Sequence, residues 1–290
     1  MKLEGTVIAA HGRHYLVELP DGSALPCFPR GKKSELACGD RVSIARSNET
    51  QGVIDAVLPR HALLYRSNEF RQKLIAANVS LIIIVVATDP PFPENLVTRC
   101  LLAAESQNIG ALIVLNKCDL ADRLASAETS LAPFSRLGYP ILRLSARADV
   151  SALWPYLAGQ SGVLVGQSGV GKSTLINALV PEARARTREI SATLDTGRHT
   201  TTHATRYRLP ENSSLIDSPG LQEFGLHHLS IRDIEYGFRE FRPLLGSCRF
   251  RDCRHDREPG CAIRAALEAG EIAPSRYAAF HTLIGESHAE

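Results

Sequence analysis

The sequence predicts an α/β protein in which a mostly parallel sheet stands between a small N-terminal β barrel and a helical C-terminal domain. Three patterns support this fold class. Roughly the first sixty residues contain short strands broken by turns, and the next part alternates apolar strands with helical patterns. The last part combines helical patterns with a cysteine–histidine cluster. We expect domains at residues 1–62, 70–226 and 227–290.

The N-terminal part has five candidate strands, at residues 6–9, 14–19, 25–28, 41–44 and 52–57. Asp21-Gly22 predicts a hairpin turn between the second and third strands. Five short strands in this length suit a barrel of the OB type, a fold that often binds nucleic acid or oligosaccharide. Arg30, Lys32 and Lys33 fall on one of its loops. A β domain used only for packing is the alternative interpretation.

The middle part has two continuous apolar strands, at residues 81–87 and 111–115, which is typical of a sheet covered on both faces. A helix is predicted between them at 95–107, and further strands at 163–165 and 214–216. The run at 81–87 is far shorter than the ~20 residues that span a membrane. No signal peptide is visible either, so we expect a cytoplasmic protein without a membrane partner.

The C-terminal part has candidate helices at 230–241, 262–269 and 274–284. Between the first two lie four potential metal ligands, Cys248, Cys253, His255 and Cys261. Three thiolates and one imidazole suit a tetrahedral structural zinc ion with no open coordination position. Free thiols are the alternative, because the spacing is not the commonest one for zinc fingers.

Two groups of arginines suggest a phosphate-rich partner, although a solvated surface is the commoner explanation of any one group. The first group lies in a short polar stretch and consists of Arg184, Arg186, Arg188 and Arg198. The second is interleaved with the cysteines and consists of Arg249, Arg251, Arg254 and Arg257.

Residues 166–173 (GQSGVGKS) match the phosphate-binding pattern G-x-x-x-x-G-K-[ST]. The match lies between a predicted strand and a helical run at 174–179, which is the context that the pattern requires. Lys172 is expected to contact the β- and γ-phosphates, and the Ser173 hydroxyl to bind Mg²⁺. The predicted nucleotide contacts of this loop are Gly166, Gln167, Ser168, Gly169, Val170, Gly171, Lys172, Ser173 and Thr174.

A second phosphate motif is D-x-x-G at residues 217–220, directly after the strand at 214–216. The Asp217 carboxylate can hold Mg²⁺ through water, and the Gly220 amide can contact the γ-phosphate. Alone this motif is a common turn, but its position after a phosphate-binding loop makes it informative.

The strand at 111–115 ends in Asn116-Lys117-Cys118-Asp119, which predicts specificity for guanine. The Asp119 carboxylate can accept hydrogens from guanine N1 and N2 together, a geometry that adenine does not offer. Lys117 can lie across the base, and Asn116 can brace the loop. Ser145 and Ala146 follow the next predicted strand and fit the loop whose backbone contacts guanine O6.

The order of these motifs is circularly permuted, because the guanine motifs precede the phosphate-binding loop. In ordinary G proteins the phosphate-binding loop comes first. A parallel sheet tolerates this change, since the same loops still meet at one edge. The segment after residue 220 then leads directly into the C-terminal domain, which offers a route for signalling the presence of the γ-phosphate.

With these motifs the chain resembles the bacterial ribosome-small-subunit-dependent GTPase A family (RsgA, also called YjeQ) over nearly its whole length. The resemblance rests on the permuted order, GQSGVGKSTL, GRHTTT at 197–202, DSPG and the late Cys/His cluster. It implies an OB barrel, a permuted GTPase domain and a C-terminal zinc domain. It also implies GTP as substrate, Mg²⁺, one structural zinc ion, and weak GTPase activity in late maturation of the small subunit.

The resemblance also implies roles for two residues of the GRHTTT segment. One threonine should complete the coordination of Mg²⁺, and we assign this to Thr201. Leu221 stands where many G proteins have a glutamine that orients the attacking water, and leucine cannot hydrogen-bond water. In the resembled family this role is proposed for the histidine of the GRHTTT segment, here His199, with a solvated histidine as the alternative.

We expect a monomer whose partners are the small ribosomal subunit and its rRNA, with other assembly factors as possible partners. A nucleotide-gated RNA-binding factor in which hydrolysis is incidental is the alternative function. A P-loop ATPase or kinase is a third possibility, against which Asp119 argues.

Overall fold

A computed structural model of the 290-residue chain describes residues 2–31, 35–67, 72–183, 204–218 and 226–287. These residues form a barrel, a large mixed sheet covered by helices, and a group of C-terminal helices. Within them, the longest helix is too short and too polar to cross a membrane.

The N-terminal part is a closed five-stranded barrel, as predicted. Its strands are β1 (Lys2–His11), β2 (His14–Glu18), β3 (Ala24–Pro29), β4 (Arg41–Arg46) and β5 (Gly52–Val57). β1 pairs with β2 and β4, β2 with β3, and β5 with both β3 and β4, so no strand edge is left within the ring. Gly22 has φ 84° at the turn between β2 and β3, which confirms the hairpin there. The fold class of this part is therefore OB-like.

A two-stranded hairpin that the sequence did not predict follows the barrel. It consists of β6 (Leu63–Ser67) and β7 (Gln72–Ala77). Its second strand contacts the barrel through a bridge between Ala76 and Cys38.

In the middle part, the residues that the structure describes form six strands in the order β10-β9-β8-β11-β13-β12. Their bounds are β8 (Leu81–Ala87), β9 (Gly110–Asn116), β10 (Ile141–Arg143), β11 (Ser161–Val165), β12 (Thr205–Leu209) and β13 (Ser213–Asp217). All neighbours are parallel except β12 and β13. Every residue of β8 is buried, which confirms a sheet covered on both faces.

The described residues of this part form four helices: α1 (Glu94–Ser106), α2 (Ala121–Arg136), α3 (Trp154–Leu157) and α4 (Lys172–Leu179). The side chains of β8 alternate between two apolar cores, with Ile82 and Ile84 in one and Ile83 and Val85 in the other. The second core also contains Leu175 of α4. The sheet is extended at its β12 edge, where Thr205 pairs with Ala9 of the barrel.

The C-terminal part contains α5 (Ile231–Gly237), α6 (Ala262–Glu268) and α7 (Pro274–Ser287). The predicted helix at 230–241 is too long, because the chain becomes extended at Phe238 and resumes as a short 3₁₀ turn at Arg242–Leu244. Phe238 and Phe241 are both fully buried, and their i, i+3 spacing is also typical of the buried face of a helix. The other two predicted helices are confirmed.

Candidate functional site

The phosphate-binding pattern forms a loop between β11 and α4, and three glycines determine its shape. Gly166, Gly169 and Gly171 have φ of 147°, 83° and 99°, in the left-handed region that favours glycine. A Cβ atom on Gly166 would lie 2.2 Å from the Val85 carbonyl oxygen. The loop therefore depends on glycine both for its backbone conformation and for its close packing.

Lys172 begins α4 and curls back over this loop. Its Nζ donates hydrogen bonds to the carbonyl oxygens of Gly166 and Gln167, both at 2.7 Å. An ammonium group has three hydrogens to donate. Two are directed into the loop, which fixes the nitrogen and leaves one direction for a phosphate oxygen.

Asp217 ends β13 beside Lys172, and the two groups influence each other. Burial raises the pKa of Asp217, and the Lys172 charge opposes this shift. Burial also lowers the pKa of Lys172, with Asp217 opposing it. The next residue, Ser218, donates from its hydroxyl to the Leu164 carbonyl oxygen at 3.2 Å, which holds the start of the D-x-x-G segment against β11.

Asn116 joins three loops of the site and is only 2% exposed. Its Nδ2 donates to the Val170 carbonyl oxygen of the phosphate-binding loop at 2.8 Å. Its Oδ1 accepts from the Ala146 amide at 2.9 Å. A Cβ atom on Gly171 would lie 2.2 Å from the same Nδ2. The guanine motif, the phosphate loop and the Ser145-Ala146 loop are therefore held together by one side-chain amide.

The two charged residues of the guanine motif lie at the surface of the same loop. Lys117 has φ 61°, and its Nζ donates to the Asp89 carbonyl oxygen at 2.6 Å. Asp119 is exposed, and a hydrogen bond from Ser145 lowers the pKa of its carboxylate. Asp119 is thus ionised at neutral pH and available as a hydrogen-bond acceptor.

The segment at residues 88–93 is a part of the site that the sequence motifs did not reveal. It follows β8 and lies between the guanine motif and the phosphate loop. Thr88 donates from its hydroxyl to the Lys117 carbonyl oxygen at 2.9 Å, and Gln167 Nε2 donates to the Pro91 carbonyl oxygen at 2.9 Å. The available signal was its position at the carboxyl end of a buried parallel strand, where ligands of such sheets bind.

The hydroxyl residues among the remaining predicted phosphate contacts differ in exposure. Ser168 and Ser173 are exposed, and Thr174 is half-buried in the first turn of α4. Several predicted residues lie outside the described part of the chain: Lys32, Lys33, Arg184, Arg186, Arg188, Arg198, His199, Thr201, Gly220 and Leu221.

The second candidate site is the cysteine–histidine cluster between α5 and α6. The ligand atoms of Cys248, Cys253, His255 and Cys261 all lie within 4.8 Å of one another. The Sγ atoms of Cys248 and Cys261 are 4.0 Å apart, and His255 Nδ1 lies 3.6 and 3.4 Å from them. Tetrahedral zinc–thiolate bonds of ~2.3 Å place two sulfurs ~3.8 Å apart. The donor set and its spacing fit a structural zinc ion.

Backbone amides face two sulfur atoms of this cluster. The Ala262 amide donates to Cys248 Sγ at 3.4 Å, and the Arg264 amide donates to Cys261 Sγ at 3.5 Å. Cys261 is also the N-cap residue of α6, where a negative charge is favoured.

Comparisons with known proteins agree with this geometry. The model of the RsgA GTPase family matches residues 57–227. The chain is 55% identical to the small ribosomal subunit biogenesis GTPase RsgA of Nitrosospira multiformis, over 97% of this chain and 90% of the relative. It is 53% identical to the protein of that name from Bordetella pertussis, over 99% of this chain and 97% of the relative.

Two solved structures share the fold. YjeQ from Thermotoga maritima is 29% identical, with a TM-score of 0.77 and full coverage of both chains. YloQ, described as a circularly permuted GTPase, is 24% identical, with a TM-score of 0.71 and coverage of 99% of this chain and 95% of that one. The matching family model and the close relatives extend over the permuted motifs and agree with them. The chain belongs to the RsgA GTPase family.

Proposed function

We propose that this GTPase acts in late maturation of the small ribosomal subunit, and that its nucleotide state controls binding to the subunit and release from it. The observation that carries the nucleotide site is Asn116, whose side chain joins the guanine motif to the phosphate loop. The partner is inferred from close relatives, each named a small ribosomal subunit biogenesis GTPase.

Recognition of guanine rests on Asp119. Its carboxylate has a lowered pKa and is exposed beside Lys117, so it can accept the N1 and N2 hydrogens of the base together. A site that pairs the donors of its substrate rejects an analogue without them by ~10⁴-fold or more. Lys117 lies across the base in this proposal, and the Ser145-Ala146 loop borders its O6 edge.

Binding of the phosphates rests on the loop at 166–173 and on Lys172. The loop directs backbone amides toward the N-terminal end of α4, where an anion is favoured. Lys172 is anchored by two loop carbonyls and directs its remaining hydrogen to the β- and γ-phosphates. Ser173, Thr201 and, through water, Asp217 would hold Mg²⁺, which would supply charge neutralisation on the phosphate oxygens.

Hydrolysis requires a water molecule in line with the γ-phosphate. The Gly220 amide contacts that phosphate, and His199 orients the water because Leu221 cannot. We therefore expect intrinsic turnover to be slow and to accelerate on the subunit.

Contact with rRNA is assigned to the barrel and to the zinc loop. Four arginines of the zinc loop are exposed: Arg249, Arg251, Arg254 and Arg257. In the barrel, Arg30 is largely exposed beside Asp55. Exposed arginines held on a rigid loop are suited to RNA phosphates. Zinc at Cys248, Cys253, His255 and Cys261 would cross-link this loop, and it would have no part in hydrolysis.

The test is GTP hydrolysis by the wild-type, His199→Ala and Lys172→Ala proteins, each with and without purified small subunits. We expect slow wild-type turnover that rises on the order of tenfold or more with subunits, a weak response in His199→Ala, and loss of activity in Lys172→Ala. No acceleration by active subunits would contradict the ribosomal assignment. Full cellular function of a His199→Ala protein without hydrolysis would favour a nucleotide-gated RNA-binding factor instead.

Base specificity has a separate test in Asp119→Asn. The new amide donates where the carboxylate accepted, so it fits the C2 carbonyl of xanthine better than the C2 amino group of guanine. We expect GTP affinity to fall by ~10²-fold or more and XTP affinity to rise. Equal affinity of the wild-type protein for ATP and GTP would contradict the assignment of Asp119.

A further inference from the structure

The zinc histidine has a second neighbour that no sequence motif contains. His255 is 5% exposed and turns its Nδ1 toward the thiols of Cys248 and Cys261. Its other ring nitrogen, Nε2, lies 3.4 Å from Oε1 of Glu235. The Glu235 side chain is itself only 18% exposed. The imidazole is thus placed between the cluster on one side and a carboxylate on the other.

Such an arrangement has a known physical effect on a metal ligand. If Nδ1 binds the metal, the ring proton resides on Nε2 and can be donated only from there. A carboxylate that accepts this proton fixes the tautomer and the orientation of the ring, and it makes the bound nitrogen more basic. Removal of such a partner commonly costs 10–100-fold in metal affinity.

We propose that Glu235 is a positioning residue of the zinc centre, which holds His255 in the orientation and tautomer that bind the metal through Nδ1. This inference rests on the proposed zinc site and adds a residue that lies outside its four ligands.

Among the described neighbours of His255, Glu235 is the residue whose carboxylate faces Nε2. The ring packs beside Phe241 and Phe280, with centroids 6.3 and 5.9 Å away, and these apolar rings restrict its position without accepting its proton. The Tyr277 hydroxyl donates to the backbone carbonyl of His255, and His281 contacts the same oxygen. Those contacts hold the backbone, while the carboxylate faces the side-chain nitrogen.

The location of Glu235 gives the inference a consequence for the whole protein. Glu235 lies on α5, the first helix after the D-x-x-G segment in the described chain. Ser230 and Asp233 form a capping box at the start of this helix. The contact between His255 and Glu235 therefore connects the zinc loop to the helix that follows the D-x-x-G segment.

The experiment uses the full-length protein with Glu235→Gln, Glu235→Ala and, as a matched control, Glu268→Gln. Glu268 is an exposed carboxylate of the same domain that pairs with Arg264. Zinc affinity is measured by competition with a chromogenic chelator, and Co²⁺ is substituted to record its ligand-field absorption. GTP binding serves as the check that each variant is folded.

We expect zinc affinity to fall 10–100-fold in Glu235→Ala and by a smaller factor in Glu235→Gln, which keeps an acceptor oxygen. The Co²⁺ bands should shift in both variants and remain unchanged in Glu268→Gln. A role in folding alone would not move these bands in a protein that binds GTP normally. If the alanine variant fails to fold, the nearly isosteric glutamine variant decides the question.

Two results would overturn the proposal. Unchanged zinc affinity and Co²⁺ bands in the Glu235 variants would make the contact a simple ion pair. A wild-type protein that binds no zinc would remove the centre itself. Both results are distinct from failure of the ribosomal function, which is read from GTP hydrolysis with subunits.

Discussion

The barrel and the C-terminal helices both flank the GTPase sheet, but they are attached in different ways. The barrel has its own apolar core, built around residues such as Val17 and Ile44. The core on one face of the GTPase sheet instead continues into the C-terminal part, where Ile82 and Leu101 belong to the same cluster as Phe280. The barrel is thus a neighbour of the GTPase domain, whereas the C-terminal helices complete it.

Polar contacts sharpen this difference. Arg276 of α7 is 2% exposed, and it binds Glu240 at 2.6 Å and the Thr98 hydroxyl of α1 at 2.8 Å. Glu105 of α1 binds Arg239 and Arg242 at 2.7 and 2.6 Å. The barrel joins the sheet edge through the Ala9–Thr205 pair and the Glu18–Arg208 ion pair, and it contributes Cys38 to the shared core. The contrast teaches that separate sequence patterns do not imply separate folding units.

The largest effect should come from removing the C-terminal part, and removal of the barrel is the comparison. A chain that ends at residue 229 exposes the apolar surface of α1, so we expect loss of cooperative unfolding and of GTP binding. A chain that begins at residue 62 should keep both, because the barrel core is its own. Circular dichroism on heating and binding of a fluorescent guanine nucleotide measure the two properties. Normal nucleotide binding by the first chain would break the comparison.

A single cavity in the shared core should also destabilise the part of the protein that binds GTP. Phe280 is fully buried, and Phe280→Ala should lower the free energy of unfolding by about 3–5 kcal/mol. The melting of the GTP-binding unit should shift with it. Ile44→Ala in the barrel is the matched cavity, and it should leave that transition nearly unchanged. Equal shifts in the two variants would mean that the barrel and the sheet unfold together.

Loss of the buried cation should have a somewhat smaller effect. Arg276→Met leaves the Glu240 carboxylate buried without its partner, which we expect to cost about 3 kcal/mol of unfolding free energy. The double variant Arg276→Met/Glu240→Leu removes both charges and should recover much of the loss. Urea unfolding of the three proteins measures this coupling. Additive losses in the double variant would argue that the pair does not act as a unit.

The smallest effect concerns Glu105 and depends on pH. Burial raises the pKa of Glu105, but hydrogen bonds from Arg242, Arg239 and Tyr139 outweigh it and lower the pKa below 4.5. A lowered pKa stabilises the fold above the ordinary pKa, and this contribution is lost as the pH falls. We expect Glu105→Gln to cost about 1 kcal/mol near pH 7, and the gap to wild type to shrink below pH 4.5.

Glu4→Gln is the control for that measurement. Glu4 pairs with Arg41 in the barrel, and both side chains are about 60% exposed. Exposed pairs contribute little, so the change in unfolding free energy should stay within about 0.5 kcal/mol at either pH. A gap for Glu105→Gln that is independent of pH would show that its charge has no part in docking.

Much of the fold could be predicted because hydrophobic patterns within short segments of the sequence indicate its strands and helices. The barrel strands alternate buried and exposed residues between clear turns, and β8 is apolar throughout. β12 was missed although Thr205, Tyr207 and Leu209 alternate with arginines. The alternation is present in the sequence, but two arginines within five residues are unusual for a strand, and the strand was not predicted. The domain boundaries stay predictions.

The candidate site likewise contains residues that sequence motifs indicate and residues that they do not. Motif residues such as Asn116 and Lys172 could be predicted because a motif consists of side chains. The segment after β8 was missed because it acts through the backbone oxygens of Asp89 and Pro91, which no side-chain pattern encodes. Glu235 was missed because only the tertiary fold brings it beside His255.

The shared core has a consequence for synthesis on the ribosome. Domains generally fold as units, the N-terminal one first, as the chain emerges. The barrel has all of its core residues within the first 54 positions and can fold while the rest is being translated. The GTPase core must wait for Phe280, which is translated long after the barrel. Stable nucleotide binding should therefore begin only after Phe280 has been translated, so a product truncated before this residue would rarely compete for GTP.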